Sequence, residues 1–498
     1  MRPVPRYFVV IAALCLSVGE AQAQETATAS TRQPWAVSFR MSPEEMAARA
    51  RVQARLEADL AVVGVFRPAY SFWQHIFAIP DGRIVLGSAQ DGRLLATLPQ
   101  QGAWDQPAAW QDESLRALVA GQDLPTRLDD RRAELVRLLE PTAGPLLHNP
   151  TRGNFLLPNV PRYGPFLGEW ATIYERFGVP AEVGLAQAVL ESGLDGRARS
   201  GASALGFCQF LKRNWNYLNR LTPHTIEPFN QTTQAPYCAA YLSVLATMYG
   251  SYIPALSEHH SGGVNVGRVV INGERLGATD VREQYLIGSE FAHNLRGVAL
   301  GEYRDLYRTY GPRSFRYAEM VFGNTLTVRR LASDTRQARI FAMRTTRSWP
   351  LTELTRRTGL KADQVKRFNP AIVRQVPAHA DLYLPSFVPA FGRDVSFWHR
   401  AASPAFATVL NEFVHLDAGV QRWHEPAFEV VLRGFERRFR DTETDEGLVM
   451  ASTLAYVISD LRTSRRAAIL EEFRTSGRIL ALFSQGLREL QPLLPAFQ

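Results

Sequence analysis

A mainly α-helical chain with two small β-containing insertions is what this sequence predicts. Three observations carry that expectation. Apolar residues recur at helical spacing across most of 163–325 and again across 389–498. The stretch from Phe77 to Leu98 breaks that pattern with two Asp-Gly-Arg turns, each ahead of an apolar run. The stretch from Ile340 to Pro385 alternates short apolar runs with helix stops at Gly359 and Asn369-Pro370. The chain has 498 residues, which at roughly 150 residues per domain suggests about three domains.

From the N-terminus, Met1–Arg6 supplies positive charge, Tyr7–Val18 is a short apolar run, and Ala21-Gln-Ala23 is an A-x-A cleavage site. That is a signal peptide over 1–23, with Gln24 opening the mature chain. A lipid anchor at Cys15 does not fit, because Leu14 precedes it and the cysteine lies inside the apolar run. The protein is therefore expected to be exported and periplasmic. No later segment carries 18 consecutive apolar residues, so no transmembrane anchor is expected in the mature chain. The net charge of +8 suits an anionic surface, but the arginines are scattered and no nucleic-acid motif is present, which argues against nucleic acid.

Residues 24–155 form an N-terminal region without an assignable role: a polar leader over 24–40, an amphipathic helix over Met41–Val65, the hairpin, and helix periodicity over 112–140. Pro180 then opens a helix through Leu190, with Leu185, Ala188 and Val189 on its buried face. Glu191 stands at its C-terminal end, followed by the Ser/Gly/Ala-rich turn Ser192 to Ser203 and a Gly206-Phe-Cys-Gln209 step. A carboxyl group among apolar residues acquires a raised pKa and can serve as a general acid, whereas the ordinary fate of a glutamate at a helix end is exposure. Beyond the signal only Cys208 and Cys238 remain, either a disulfide or two buried thiols. A zinc site joining them to His259 and His260 lacks ligand-pair spacing, and no metal or other cofactor is expected.

The stretch Glu191-Ser192, Ser200, Ser203-Ala-Leu-Gly206 and Gln209 resembles the core of the lytic transglycosylase family, which has a goose-lysozyme-like fold and cuts bacterial peptidoglycan. Three downstream blocks extend the resemblance in order: Pro236-Tyr-Cys-Ala-Ala-Tyr241-Leu242, Ala255-Leu-Ser-Glu-His259-His260-Ser-Gly262, and Arg313-Ser314-Phe-Arg-Tyr317. The chain departs from the family pattern at Ser203 (glycine), His259 (tyrosine), His260 (asparagine) and Arg313 (glutamate). Pro350–Leu360, Val365–Pro370 and Leu382–Pro385 are similar to a LysM module, without its usual Gly-Asp-Thr turn. The order of the two is similar to the membrane-bound lytic murein transglycosylase D group.

The resemblance implies a catalytic domain over 156–325, a LysM-like module over 326–388 and a helical C-terminal region over 389–498. It implies Glu191 as sole acid and base, with Ser192, Ser200, Gln209, His259, His260 and Tyr317 around the sugar, and Asp195 as a structural residue. A histidine at 260 can donate or accept as an asparagine does, and adds a titration near neutrality. The substrate implied is the glycan strand, cleaved to a 1,6-anhydro product. Two other readings stay open: a lysozyme-type hydrolase on the same fold, and a non-catalytic wall-binding scaffold with a decayed site. The C-terminal residues read as helices over Phe406–Val414, Phe428–Phe439, Leu448–Leu461 and Ile469–Leu490. The basic run Arg433–Arg440 suits a solvated face more than a docking one, with a protein partner for these helices left open.

Overall fold

A computed structural model describes residues 41–101, 103–295, 297–298, 301–302, 314–394, 403–416 and 425–493. The expected signal peptide over 1–23, the expected leader over 24–40 and Arg313 lie outside the described residues. Among the described residues the architecture is mainly helical, with two three-stranded and two two-stranded antiparallel sheets.

Helix α1 (Pro43–Phe66) starts where its cap dictates. The Ser42 hydroxyl accepts the Glu45 N–H at 3.1 Å, and Pro43 takes the first helical position. The expected hairpin follows as β1 (Arg83–Ser88) paired with β2 (Leu94–Pro99). The glycines of both Asp-Gly-Arg turns have positive φ, +87° at Gly82 and +75° at Gly92. The helical stretch expected over 112–140 is two helices, α2 (Glu113–Val119) and α3 (Leu128–Ala143), parted by a segment containing Gly121 and Pro125. They cover a separate core that includes Leu86, Leu98, Trp110, Leu115 and Leu139. Strand β3 (Leu146–Pro150) joins the other edge of β1. It lacks alternation and ends in proline, which an edge strand tolerates and which hid it in the sequence.

The central body contains α4 (Leu167–Arg176), α5 (Ala181–Ser192), α6 (Lys212–Leu221), α7 (Gln231–Tyr249), α8 (Tyr252–Ser261), α9 (Gly263–Arg275), α10 (Val281–Leu295) and α11 (Tyr317–Asp334). Every residue of α5 from Ala181 to Val189 is buried, so this helix has no solvated face, unlike the one-faced helix expected. Gly184 lets α4 approach: a Cβ there would lie 2.2 Å from the Tyr174 ring.

After α11 the chain builds the small α/β unit. Strand β4 (Phe341–Thr345) lies between β5 (Asp381–Leu384) and β6 (Gly392–Asp394), antiparallel to both. Helix α12 (Leu351–Thr358) ends at Gly359 in the left-handed region, φ +71°, and α13 (Ala362–Phe368) ends at Asn369, as the breakers predict. Asn369 ties that stop to β5. Its amide donates to the Val365 and Tyr383 carbonyls, at 2.8 and 2.6 Å, and accepts the Tyr383 N–H at 2.8 Å. The preceding Phe368 is the joint to the central body. Its ring meets Phe166 edge-on at 4.7 Å, and its carbonyl accepts from Asn230 at 2.5 Å. The boundary expected at 326 falls inside α11, and the one at 388 precedes β6, which completes the sheet.

The C-terminal helices are α14 (Pro404–Val414), α15 (Pro426–Arg440), α16 (Asp445–Thr463), α17 (Arg466–Thr475) and α18 (Gly477–Leu490). The single helix expected over Ile469–Leu490 is broken at Ser476, whose hydroxyl caps α18 by accepting the Ile479 N–H. These helices are not a region apart. Helix α14 packs on α1, α16 on α6 and α7, and α17 on α9, within the apolar core that also holds α5. Helix α1 belongs to that core too, so the region 24–155 is divided between two cores. In the basic run, Arg433 pairs with Glu429, Arg440 with Glu436 and Arg438 with Glu412, which makes it a self-paired surface. Among the described residues no helix is long and apolar enough to cross a membrane.

One buried carboxylate fastens α1 to this body. Asp59, with no exposed surface, accepts from Ser251 Oγ at 2.7 Å, Arg282 Nε at 2.6 Å and the Tyr252 N–H at 2.6 Å. Burial pushes its pKa up to about 6, while Arg282 and the two other donors pull it down, so it is ionised at neutral pH. Asp59→Ala removes one partner of a buried pair and strands Arg282. The variant is expected to lose about 3–5 kcal/mol of stability, read as a lower denaturation midpoint at pH 7.5. An unchanged midpoint would show that the network does not hold α1.

Candidate functional site

Helix α5 stops one residue past Glu191, and backbone sterics fix that stop. Gly193 takes the left-handed conformation, φ +59°, and a Cβ there would sit 2.0 Å from the Phe155 carbonyl oxygen. Only glycine fits both demands. Glu191 is the first side chain of the buried helix to emerge into a cleft of about 980 Å³. Ser200, Gln209, His259 and His260 line the same cleft.

The loop after Gly193 is held from beneath. The Ser192 hydroxyl lies 2.9 Å from both the Ala188 and the Phe207 carbonyl oxygens, which share its one proton. Ser192 is buried at 2% exposure. It clamps the loop to the helix and does not face substrate, contrary to its expected role. Asp195 accepts the Arg197 N–H at 2.9 Å, a local turn bond that makes it structural as expected. Ser200 Oγ accepts the Ala204 N–H at 3.0 Å. The Gln209 amide donates to the Ala198 and Gly206 carbonyls at 3.1 and 2.9 Å.

Two buried residues that the sequence reading missed complete the support. Gln234 of α7 accepts the Phe207 N–H at 2.8 Å, and Gln231 donates to the Leu194 carbonyl at 3.3 Å. Their signal was available: a polar pair opening an otherwise apolar helix, just after the Asn230 cap. The choice left open for Cys208 and Cys238 resolves as a disulfide, which staples the loop to α7.

Around the carboxyl, Tyr317 Oη donates to Glu191 Oε1. Burial, and then the neighbouring Glu191, hold the Tyr317 hydroxyl far above the ordinary phenol range, so it stays a donor. His260 stacks on the Tyr317 ring, 4.4 Å between centroids and 10° apart in plane. His259 Nε2 lies 3.8 Å from Glu191 Oε1. Burial, with His260 adding, pushes the His259 pKa down to about 4, so the ring is neutral and the contact is not an ion pair at working pH. Burial also raises Glu191 to about 7, and the Tyr317 bond opposes part of that rise.

A second carboxyl, Glu258, lines the cleft but is occupied. Arg466 Nη2 lies 2.6 Å from its Oε1, and Tyr249 donates to its Oε2 at 2.5 Å. Gly263 is what admits the guanidinium, because a Cβ there would lie 2.0 Å from Arg466 Cζ. Arg466 sits at the α16–α17 junction, more than two hundred residues away in sequence, and gave no sequence signal. A smaller cavity of about 170 Å³, lined partly by Val52, Val179, Phe406 and Leu410, lies at the opposite end of α5. Among the described residues no group of three or more His, Cys, Asp and Glu side chains is placed to hold a metal ion.

The arrangement offers a carboxyl with a pKa of about 7, beside a neutral His259 and a Glu258 that is paired with Arg466. No protein-family model matches this chain, and no curated protein matches it.

If the protonated form of Glu191 does the work, any activity falls as pH rises through about 7. Tyr317 stabilises the carboxylate, so Tyr317→Phe raises the Glu191 pKa further. The alkaline limb of the pH–rate profile is expected to move up by about one unit, the size of a lost charged hydrogen bond. A limb that stays put or moves down would remove the Tyr317–Glu191 bond from the working state.

Proposed function

We propose that this chain is a peptidoglycan lytic transglycosylase with a lysozyme-like catalytic body and a LysM-like wall-binding unit, exported to the periplasm. One observation carries the reading: Glu191 is a single carboxyl with a pKa near 7, emerging from a buried helix into a cleft large enough for a glycan strand. Glycosidases that use water on two carboxyl groups need them about 5–9 Å apart. Here Glu258, a second carboxyl on the cleft, already has both oxygens engaged by Arg466 and Tyr249.

The chemistry then runs on one group. Protonated Glu191 gives its proton to the oxygen that links C1 of N-acetylmuramic acid to N-acetylglucosamine. The C1–O bond breaks, the substrate's acetamido oxygen supports the electron-poor C1, and Glu191 is left as carboxylate. That carboxylate takes the proton of the C6 hydroxyl, O6 bonds to C1, and a 1,6-anhydro ring closes without water. Tyr317 supports this cycle by donating to the carboxylate state. Neutral His259 adds no opposing charge. Ser200, Gln209 and His260 line the cleft wall, which supports a role for them in holding the sugar.

Purified sacculi incubated with residues 24–498 are expected to release anhydro-muropeptides, read by mass spectrometry. Glu191→Gln is expected to lower release by at least about a hundredfold, as removal of a general acid does. Reducing-end products would replace this reading with a hydrolase. Sacculus binding without release would replace it with a wall-binding scaffold.

A further inference from the structure

The cleft does not end at Glu191. A run of aromatic rings leads away from it: His259 to Tyr241 at 6.1 Å, Tyr241 to Tyr456 at 5.8 Å, and Tyr456 to Tyr217 at 5.9 Å. Arg220 closes the run, its guanidinium 5.1 Å from the centre of the Tyr217 ring. Tyr241 comes from α7, Tyr217 from α6 and Tyr456 from α16, so this arm exists only because the C-terminal helices pack on the central body.

Its two rims differ in charge. Helix α6 buries Trp215 and Leu218 and leaves Arg213 and Arg220 exposed on the cleft. Neither arginine forms an ion pair with any described residue, whereas Arg433 and Arg440 elsewhere on the surface pair within their own helix. The facing rim is α16 with its continuation, where Ser459, Asp460, Thr463 and Ser464 line the cleft. The Asp460 carboxylate is half exposed and 3.3 Å from Arg466 on its inner side.

We propose that this arm binds the peptide carried by the glycan strand, so that the site selects peptide-bearing over stripped glycan. The proposal rests on the peptidoglycan reading above. A stripped strand keeps one lactyl carboxylate on each muramic acid, held close against the ring, so it offers two guanidinium groups out along the arm less than the stem does. A peptide stem offers carboxylates, which guanidinium binds as a two-pronged acceptor. The same stem offers N–H and ammonium donors, which suit the carboxylate and hydroxyls of the α16 rim. Apolar side-chain surface of the stem meets the tyrosine floor. The rims lie in solvent, so the contribution of the arginines weakens with salt.

The test is binding, measured by fluorescence anisotropy on the Glu191→Gln chain so that strands are not consumed. The probes are labelled soluble glycan strands with their peptides and the same strands stripped by an amidase. Peptide-bearing strands are expected to bind roughly tenfold more tightly, the yield of two exposed ion pairs. That preference is expected to shrink with added salt and to vanish in the Arg213→Gln/Arg220→Gln variant, whose folding is checked by circular dichroism. Equal affinity for the two strands, or a preference that survives the double substitution, overturns the proposal. Equal loss of both strands in the double variant also overturns it, since the arginines would then hold the glycan. Product analysis of the unsubstituted chain is independent. A peptide preference without anhydro products would fail the transglycosylase reading alone, and anhydro products without a preference would fail only the peptide arm.

Discussion

Burial of α5 on every side is the constraint from which the site follows. A helix with no solvated face can present a functional group only where it ends. Glu191 occupies that place, one residue before the stop that Gly193 makes against the Phe155 carbonyl. A carboxyl one turn earlier would be sealed among Gln187, Ala188 and the surrounding core, with no route for substrate. A carboxyl one turn later would sit where Asp195 sits, bonded to its own turn. Only at 191 is the group dry enough for a pKa near 7 and still open to a large cleft. The electrostatics of the site are a consequence of helix termination.

The loop that follows is strained, and its supports are placed accordingly. Leu194, Ser203 and Gln209 all have positive φ, at +65°, +63° and +54°, each disfavoured by roughly 1 kcal/mol or more in a residue other than glycine. Ser203 is the position where the resembled family carries glycine, so the departure noticed in the sequence is a real conformational burden. Ser192, Gln231, Gln234 and the Cys208–Cys238 disulfide oppose it. A cross-link closing 30 residues contributes roughly 3–4 kcal/mol by restricting the unfolded chain. The loop is thus held in one shape while three of its residues would prefer another.

What the sequence could reveal was local. The α1 cap, the two Asp-Gly-Arg turns, the Gly359 and Asn369 stops and the end of α5 at Glu191 all rest on neighbouring residues, and each was readable. The resemblance to a lytic transglycosylase placed Ser200, Gln209, His259, His260 and Tyr317 near Glu191, and the fold brings these together. Ser192 was misjudged because a serine beside an acid looks like a polar contact, while its actual environment is set by Phe207 across the loop. Parity made a Cys208–Cys238 bond conceivable, but only tertiary packing decides it. The long-range ties were not readable at all. Asp59 meets Arg282, and Glu258 meets Arg466, across some two hundred residues, and nothing in either neighbourhood announces the partner.

The Glu258–Arg466 pair also redefines where the unit that carries the candidate site ends. Glu258 stands next to His259 in the helix that borders Glu191, and its side chain is 2% exposed. An unpaired carboxylate buried there would be destabilising by several kcal/mol or would take up a proton and compete as an acid. Arg466 prevents both, and it arrives from the C-terminal helices through a gap that only a glycine at 263 leaves open. The same helices supply Tyr456 and Asp460 to the cleft. A boundary at 325, natural from the motifs alone, would therefore leave an unpaired Glu258 close to Glu191 and remove one wall of the cleft. The helices at 404–490 are part of the site's electrostatics, and a piece of this chain that keeps Glu258 paired beside Glu191 includes them.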